Sequence, residues 1–198
     1  MTKAIMISVV CGGLAGYFFL PEAFIDISGT LLVVGLSVLL FFVGIDIGME
    51  GTVAKNFKKA GWRVMMFPFA IIVGTYAGSL VAGLILPSLG IQDAMAVGSG
   101  FGWYTLAPVM LADYSVEVSA ISFLHNVMRE LIGILLIPIV AKRIGFIETI
   151  SLPGAASMDV CLPIVEKATR GDIVVYSFIS GAVLSIAVPI LVGFVMGL

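Results

Sequence analysis

The chain has 198 residues, of which 61% are apolar and only 11% charged, and its mean hydropathy is +1.21. A soluble domain normally carries about 25% charged residues, so this composition argues against one and for an integral membrane protein. The net charge of −2 leaves no footprint for nucleic acid.

A transmembrane helix needs about 20 apolar residues. The chain opens with "MTKAIMISVVCGGLAGYFFLPEAF", which mimics a signal peptide but is counted here as a span, 4–20. Spans at 28–48 and 64–86 follow. Gly12 and Gly16 in the first, and Gly74 and Gly78 in the third, have the GxxxG spacing that lets membrane helices approach closely. Residues 1–92 are therefore read as a scaffold of three spans. Residues 93–198 form a second unit. It holds full spans at 118–141 and 173–197, each preceded by a broken apolar segment. The first of these is 94–112. The second, "SLPGAASMDVCLPIVEKATRGD" (151–172), is interrupted by Pro153 and Pro163.

Basic residues decide whether the broken segments cross, because cytoplasmic loops collect Lys and Arg. Of the ten, Arg129 lies inside a span. If both segments dip in and return, the other nine (Lys3, Lys55, Lys58, Lys59, Arg63, Lys142, Arg143, Lys167 and Arg170) share one side. If both cross, Lys142 and Arg143 move to the opposite face. The re-entrant reading is preferred, with the N-terminus inside and the C-terminus outside.

The two broken segments also resemble each other. "GSGFGWYTLAPVML" (98–111) overlies "PGAASMDVCLPIVE" (153–166) at an offset of 55 residues, matching Pro108 with Pro163, Gly102 with Ser157 and Tyr104 with Asp159. Hairpins entering from opposite faces make an inverted repeat, a signature of secondary transporters. The expected fold is thus an all-α polytopic membrane protein with about five full transmembrane helices plus two re-entrant or broken-helix hairpins in inverted repeat. Irregular backbone at membrane depth is tolerated only where it lines a cavity or is packed in protein.

Four ionisable residues fall at membrane depth: Asp46, Arg129, Glu130 and Asp159. Such residues are expensive in lipid and are usually functional or paired. Glu130 lies twelve residues before Lys142, roughly 18 Å from the helix end and near the midplane. Asp159 sits at the second hairpin tip. Asp46 lies about one turn inside its span, where it reads equally as a snorkelling interfacial acid. For Glu130 and Asp159 the alternative is a buried pair with Arg129 that only fixes packing. Three acids against one arginine suit a cation, or carboxylates that exchange protons. Trp103 and Tyr104 at the first tip offer ring faces to a cation or act as interfacial anchors. Asn126 and His125, one turn before Arg129 and Glu130, are polar lining or packing residues. The candidate substrate and proton site is Glu130, Asp159, Asp46, Arg129, Trp103, Tyr104, Asn126 and Ser157.

No Ser/His/Asp set, phosphate loop or metal-ligand spacing is present, so neither an enzyme nor a cofactor is expected. Cys11 and Cys161 read as free packing thiols, and His125 alone makes no metal site. Asp46 with Asp159 leaves an intramembrane aspartyl hydrolase as a bare alternative.

"GSGFGWYTLAPVML", "NVMRELIGILLIPIVAKR" and "GAASMDVCLPIVEKATRGD" resemble the LysO-type lysine exporter family of prokaryotic inner membranes, most densely over 94–196. The resemblance implies export of L-lysine and its analogues in exchange for protons, with functional acids at Glu130 of "RELI" and Asp159 of "SMD", and at Asp46 of "GIDIG". It also implies that a second scaffold set, like residues 4–86, comes from a homodimer or a small homologous partner subunit. The rival expectations are a carrier of another small organic ion coupled to Na⁺ or H⁺, and a non-transporting membrane subunit of a larger complex.

Overall fold

The computed structural model describes residues 2–19, 63–86 and 88–197, with single helical positions at 27, 34, 35, 38, 41, 42, 45 and 49. The regular elements in chain order are α1 (Thr2–Phe19), α2 (Arg63–Ile85), α3 (Ile91–Gly98), α4 (Ala107–Ala112), α5 (Val116–Arg143), two 3₁₀ segments (Glu148–Ser151 and Gly154–Met158), α6 (Leu162–Ala168) and α7 (Gly171–Met196). Among the described residues, three helices are long and apolar enough to cross a membrane: Val64–Ile85, Val116–Arg143 and Gly171–Met196. They coincide with the spans expected at 64–86, 118–141 and 173–197. α1 covers the expected first span. The span expected at 28–48, Asp46 included, falls outside the described residues apart from the single positions named above.

Local chemistry sets the boundaries. Ser115 caps α5 by accepting a hydrogen bond from the Val118 N–H (3.3 Å), and Glu117 in the first turn and Lys142 and Arg143 in the last complement the helix dipole. α4 and α6 both start with a proline in the first turn, Pro108 and Pro163, where the missing N–H costs no helical bond. Gly197, at φ 71, closes α7 in the left-handed region. Outer faces remain apolar, with Phe69, Val73 and Leu84 of α2 and Phe178, Ile186 and Phe194 of α7 all exposed. Such faces suit lipid as solvent, and the protein is a multi-pass membrane protein.

The 55-residue offset reappears in three dimensions. α4 begins at Ala107 and α6 at Leu162; α5 begins at Val116 and α7 at Gly171. The entry arms differ: α3 is α-helical, whereas its counterpart is 3₁₀ and turn. The two buried clusters are counterparts as well. One packs the first broken segment (Phe101, Ala107, Leu111) with Val118 of its own long helix and Val192 of the other. The second packs Ala156, Cys161 and Val165 with Ile173 of its own long helix and Ile137 of the other. Val118 and Ile173, like Ile137 and Val192, are 55 residues apart. Each half thus lends the end of its long helix to the core of the other.

Candidate functional site

The two broken segments meet backbone to backbone. The Ala155 N–H donates to the Phe101 carbonyl (2.8 Å). Phe101 (φ 46), Gly102 (φ 97) and Gly154 (φ 66) all adopt left-handed backbone at this crossing. A methyl on Gly102 would lie 2.5 Å from the Pro153 carbonyl oxygen, and one on Gly154 would overlap the Phe101 carbonyl oxygen. Glycine is required at both positions because each must approach opposing backbone at positive φ.

Buried polar side chains hold each tip to the long helix that follows it. Asn126 on α5 accepts from the Gly102 N–H (2.7 Å) and donates to the Ser122 carbonyl (2.8 Å). In the second half Ser157 and Ser177 each donate a hydroxyl to the other's carbonyl, at 3.0 and 2.8 Å. The tip positions Gly102 and Ser157, and the helix positions Ser122 and Ser177, are again 55 residues apart. Asn126, Ser157 and Ser177 are fully buried, and these bonds satisfy polar groups that burial would otherwise orphan.

Beside the crossing is a cavity of about 170 Å³, lined by Gly102 to Thr105, Glu130, Ala155, Ala156, Met158 to Val160 and Ser185. It brings together four of the residues expected from the sequence: Trp103, Tyr104, Glu130 and Asp159. Glu130 and Asp159 are half-buried and line the same cavity, with Tyr104 in the same wall. Asp159 follows the 3₁₀ segment, where its Oδ1 accepts from the Val160 N–H (2.6 Å). The aromatic pair lies at the crossing and borders the acids.

The other expected residues lie elsewhere. Asn126 and Ser157 do not line the cavity but hold the tips that form it. Arg129 faces away from Glu130, as adjacent helical residues must, about 100° apart. Its guanidinium donates to the carbonyls of Leu152 (3.2 Å) and Ser151 (3.3 Å) and to Thr75 Oγ1 on α2 (3.3 Å). Among the described residues it has no carboxylate partner; the ion pair found there is Arg170–Asp172 at 3.5 Å. Arg129 and His125 border a separate cavity against α2. Asp46 lies outside the described residues.

Of the lining residues the sequence did not single out, Thr105 and Ser185 carry hydroxyls, and Ser185 lies on α7. It stands 55 residues after Glu130, so the repeat offset applied to Glu130 is the signal that would have found it. The offset pairs most of the cavity wall: Trp103 with Met158, Tyr104 with Asp159, Thr105 with Val160 and Glu130 with Ser185. The cavity therefore draws the same positions from both halves. Its acids come from unlike positions, one on the first long helix and one on the second tip.

The sequence model of a family described as "Lysine exporter LysO" matches residues 6–196. The chain is 34% identical over 183 residues to the Escherichia coli (strain K12) protein "Lysine exporter LysO", covering 92% of this chain and 58% of that protein. It is 28% identical over 198 residues to a "Putative lysine exporter" of Haemophilus influenzae, covering 98% of this chain and 95% of that protein. No solved structure matches.

Proposed function

The chain belongs to the LysO lysine exporter family, a family of transporters and not of enzymes, and on that premise we propose that it exports L-lysine and lysine analogues across the prokaryotic inner membrane by proton antiport. The observation that carries this reading is the cavity at the crossing of the two broken segments, which holds Glu130 and Asp159 with no basic side chain among the described residues of its wall. Two carboxylates in a site of low polarity attract an ammonium group or protons, and these compete for the same oxygens. That competition is the elementary requirement of exchange. Trp103 and Tyr104 add ring faces for the cation. Arg129 acts from behind the site, on the carbonyls of Ser151 and Leu152.

In this reading the broken segments are re-entrant hairpins of an inverted repeat, with the N-terminus inside and the C-terminus outside. α3 and α4, with eight and six residues, extend only ~12 and ~9 Å, short of the ~30 Å hydrocarbon core. The 55-residue spacing of Val118 and Ile173, and of Ile137 and Val192, in the two buried clusters supports the repeat. Alternating access would move the hairpin unit, 93–198, against the scaffold of residues 1–92. A second copy, or a small homologous subunit, would supply a matching scaffold.

Counter-flow of labelled L-lysine in proteoliposomes of the purified chain tests the function. Lysine exchange that acidification of one side drives is the expected result. Flux of another organic ion without lysine would move the substrate, and no flux of any solute would leave a non-transporting subunit.

A further inference from the structure

We propose that Ser185 is a substrate-contact residue, the counterpart of Glu130 in the second half of the repeat, and that it accepts a hydrogen bond from an ammonium group of the transported cation. The inference rests on the reading of the cavity as a cation site and adds a residue and a recognition chemistry to it.

Three observations carry it. Ser185 lines the same cavity as Glu130 and Asp159. It occupies on α7 the position that Glu130 occupies on α5, in a cavity most of whose wall is paired by the same offset. Its hydroxyl hydrogen is already committed: Oγ donates to the Gly181 carbonyl (2.9 Å), with Met158 Sδ at 3.8 Å as the alternative acceptor. A hydroxyl has one hydrogen and two lone pairs. With its hydrogen turned into its own helix, Ser185 presents lone pairs to the cavity. An acceptor beside two acids is suited to a primary ammonium, which has three hydrogens to distribute. It is unsuited to a carboxylate.

The site thereby gains a graded layout. Full negative charge comes from Glu130 and Asp159, and neutral acceptor capacity comes from the position related to Glu130. Because the two positions face one cavity from equivalent places, a carboxylate moved from 130 to 185 should still address the same cation.

The test uses the purified full chain in two measurements. Calorimetric titration compares L-lysine with cadaverine, the diamine that lacks the carboxylate. Ser185→Ala is expected to weaken both ligands about tenfold, the usual cost of losing a hydrogen bond to a charged group. Affinities within twofold of wild type for both would overturn the proposal, and so would a loss confined to lysine, since that would place Ser185 at the carboxylate. If wild type binds cadaverine but not lysine, the lysine reading fails while the ammonium contact is still measured. Proteoliposome flux then compares Glu130→Gln with Glu130→Gln/Ser185→Asp at equal incorporated protein. At least a tenfold recovery in the double variant is expected, and a purely packing role for Ser185 predicts none. A correctly assembled double variant no more active than Glu130→Gln refutes the equivalence of the two positions.

Discussion

Replacing Gly154 by alanine tests the crossing on which the site depends. Gly154 has φ 66, where an L-residue costs about 1–2 kcal/mol. The added methyl would overlap the Phe101 carbonyl oxygen and come within 3.1 Å of the Phe101 carbonyl carbon and 3.2 Å of Arg129 Cζ. The nearest obstacle is backbone, so no rotamer change relieves it and the two tips must part. The adjacent Ala155 N–H···O Phe101 bond, 2.8 Å long, is the contact that parts with them. Loss of a buried backbone bond costs about 1–3 kcal/mol, for a total of about 2–5 kcal/mol. For a chain of this size that is a fall in melting temperature on the order of 10 °C. A displacement of about 1 Å between walls that carry Tyr104 and Asp159 should also lower flux about 100-fold. Thermal unfolding in nanodiscs and lysine counter-flow at matched incorporation measure the two effects. Gly102→Ala, at φ 97 with its methyl 2.5 Å from the Pro153 carbonyl, attacks the crossing from the other side and should behave alike. Wild-type melting and wild-type flux in Gly154→Ala would show that the tips do not bear on each other.

Asp159→Asn and Glu130→Gln keep shape and remove charge, so each should abolish proton-driven lysine flux while leaving expression and melting near wild type; persistent flux would remove that acid from the mechanism. Arg129→Gln should destabilise the second broken segment by about 1–3 kcal/mol in thermal unfolding, because the carbonyls of Ser151 and Leu152 lose a charged donor; Arg129→Lys should restore part of this, and equal melting of all three proteins would contradict it. A cysteine at position 142, in a chain lacking Cys11 and Cys161, should label only from the cytoplasmic side, and labelling from outside would defeat the re-entrant topology. Native mass in nanodiscs should show a dimer or a partnered complex, and a strictly monomeric chain that transports would refute it.

Hydropathy over windows of about 20 residues is a property of neighbouring residues, and it sufficed to place α2, α5 and α7. The prolines at 108 and 163 marked the starts of α4 and α6, because proline is tolerated in a helix only where its N–H is not needed. The offset of 55 was legible for the same reason: repeated local chemistry leaves a repeated pattern. Direction around a helix was not legible. Arg129 and Glu130 are adjacent in sequence, yet one grips the carbonyls behind the second tip and the other enters the cavity, since each added residue turns about 100°. Asn126 and Ser157 looked like lining residues because polar groups at membrane depth invite that reading. In the folded chain their hydrogen bonds serve the irregular backbone of the tips instead. Ser185 carries no charge and no motif of its own, so its only trace in the sequence is the 55-residue offset from Glu130. The sequence by itself determined where the three long apolar helices lie, where the chain breaks between them and which acids those segments carry. Tertiary structure alone decided which of those groups share a cavity, because that depends on how two distant segments cross at two glycines.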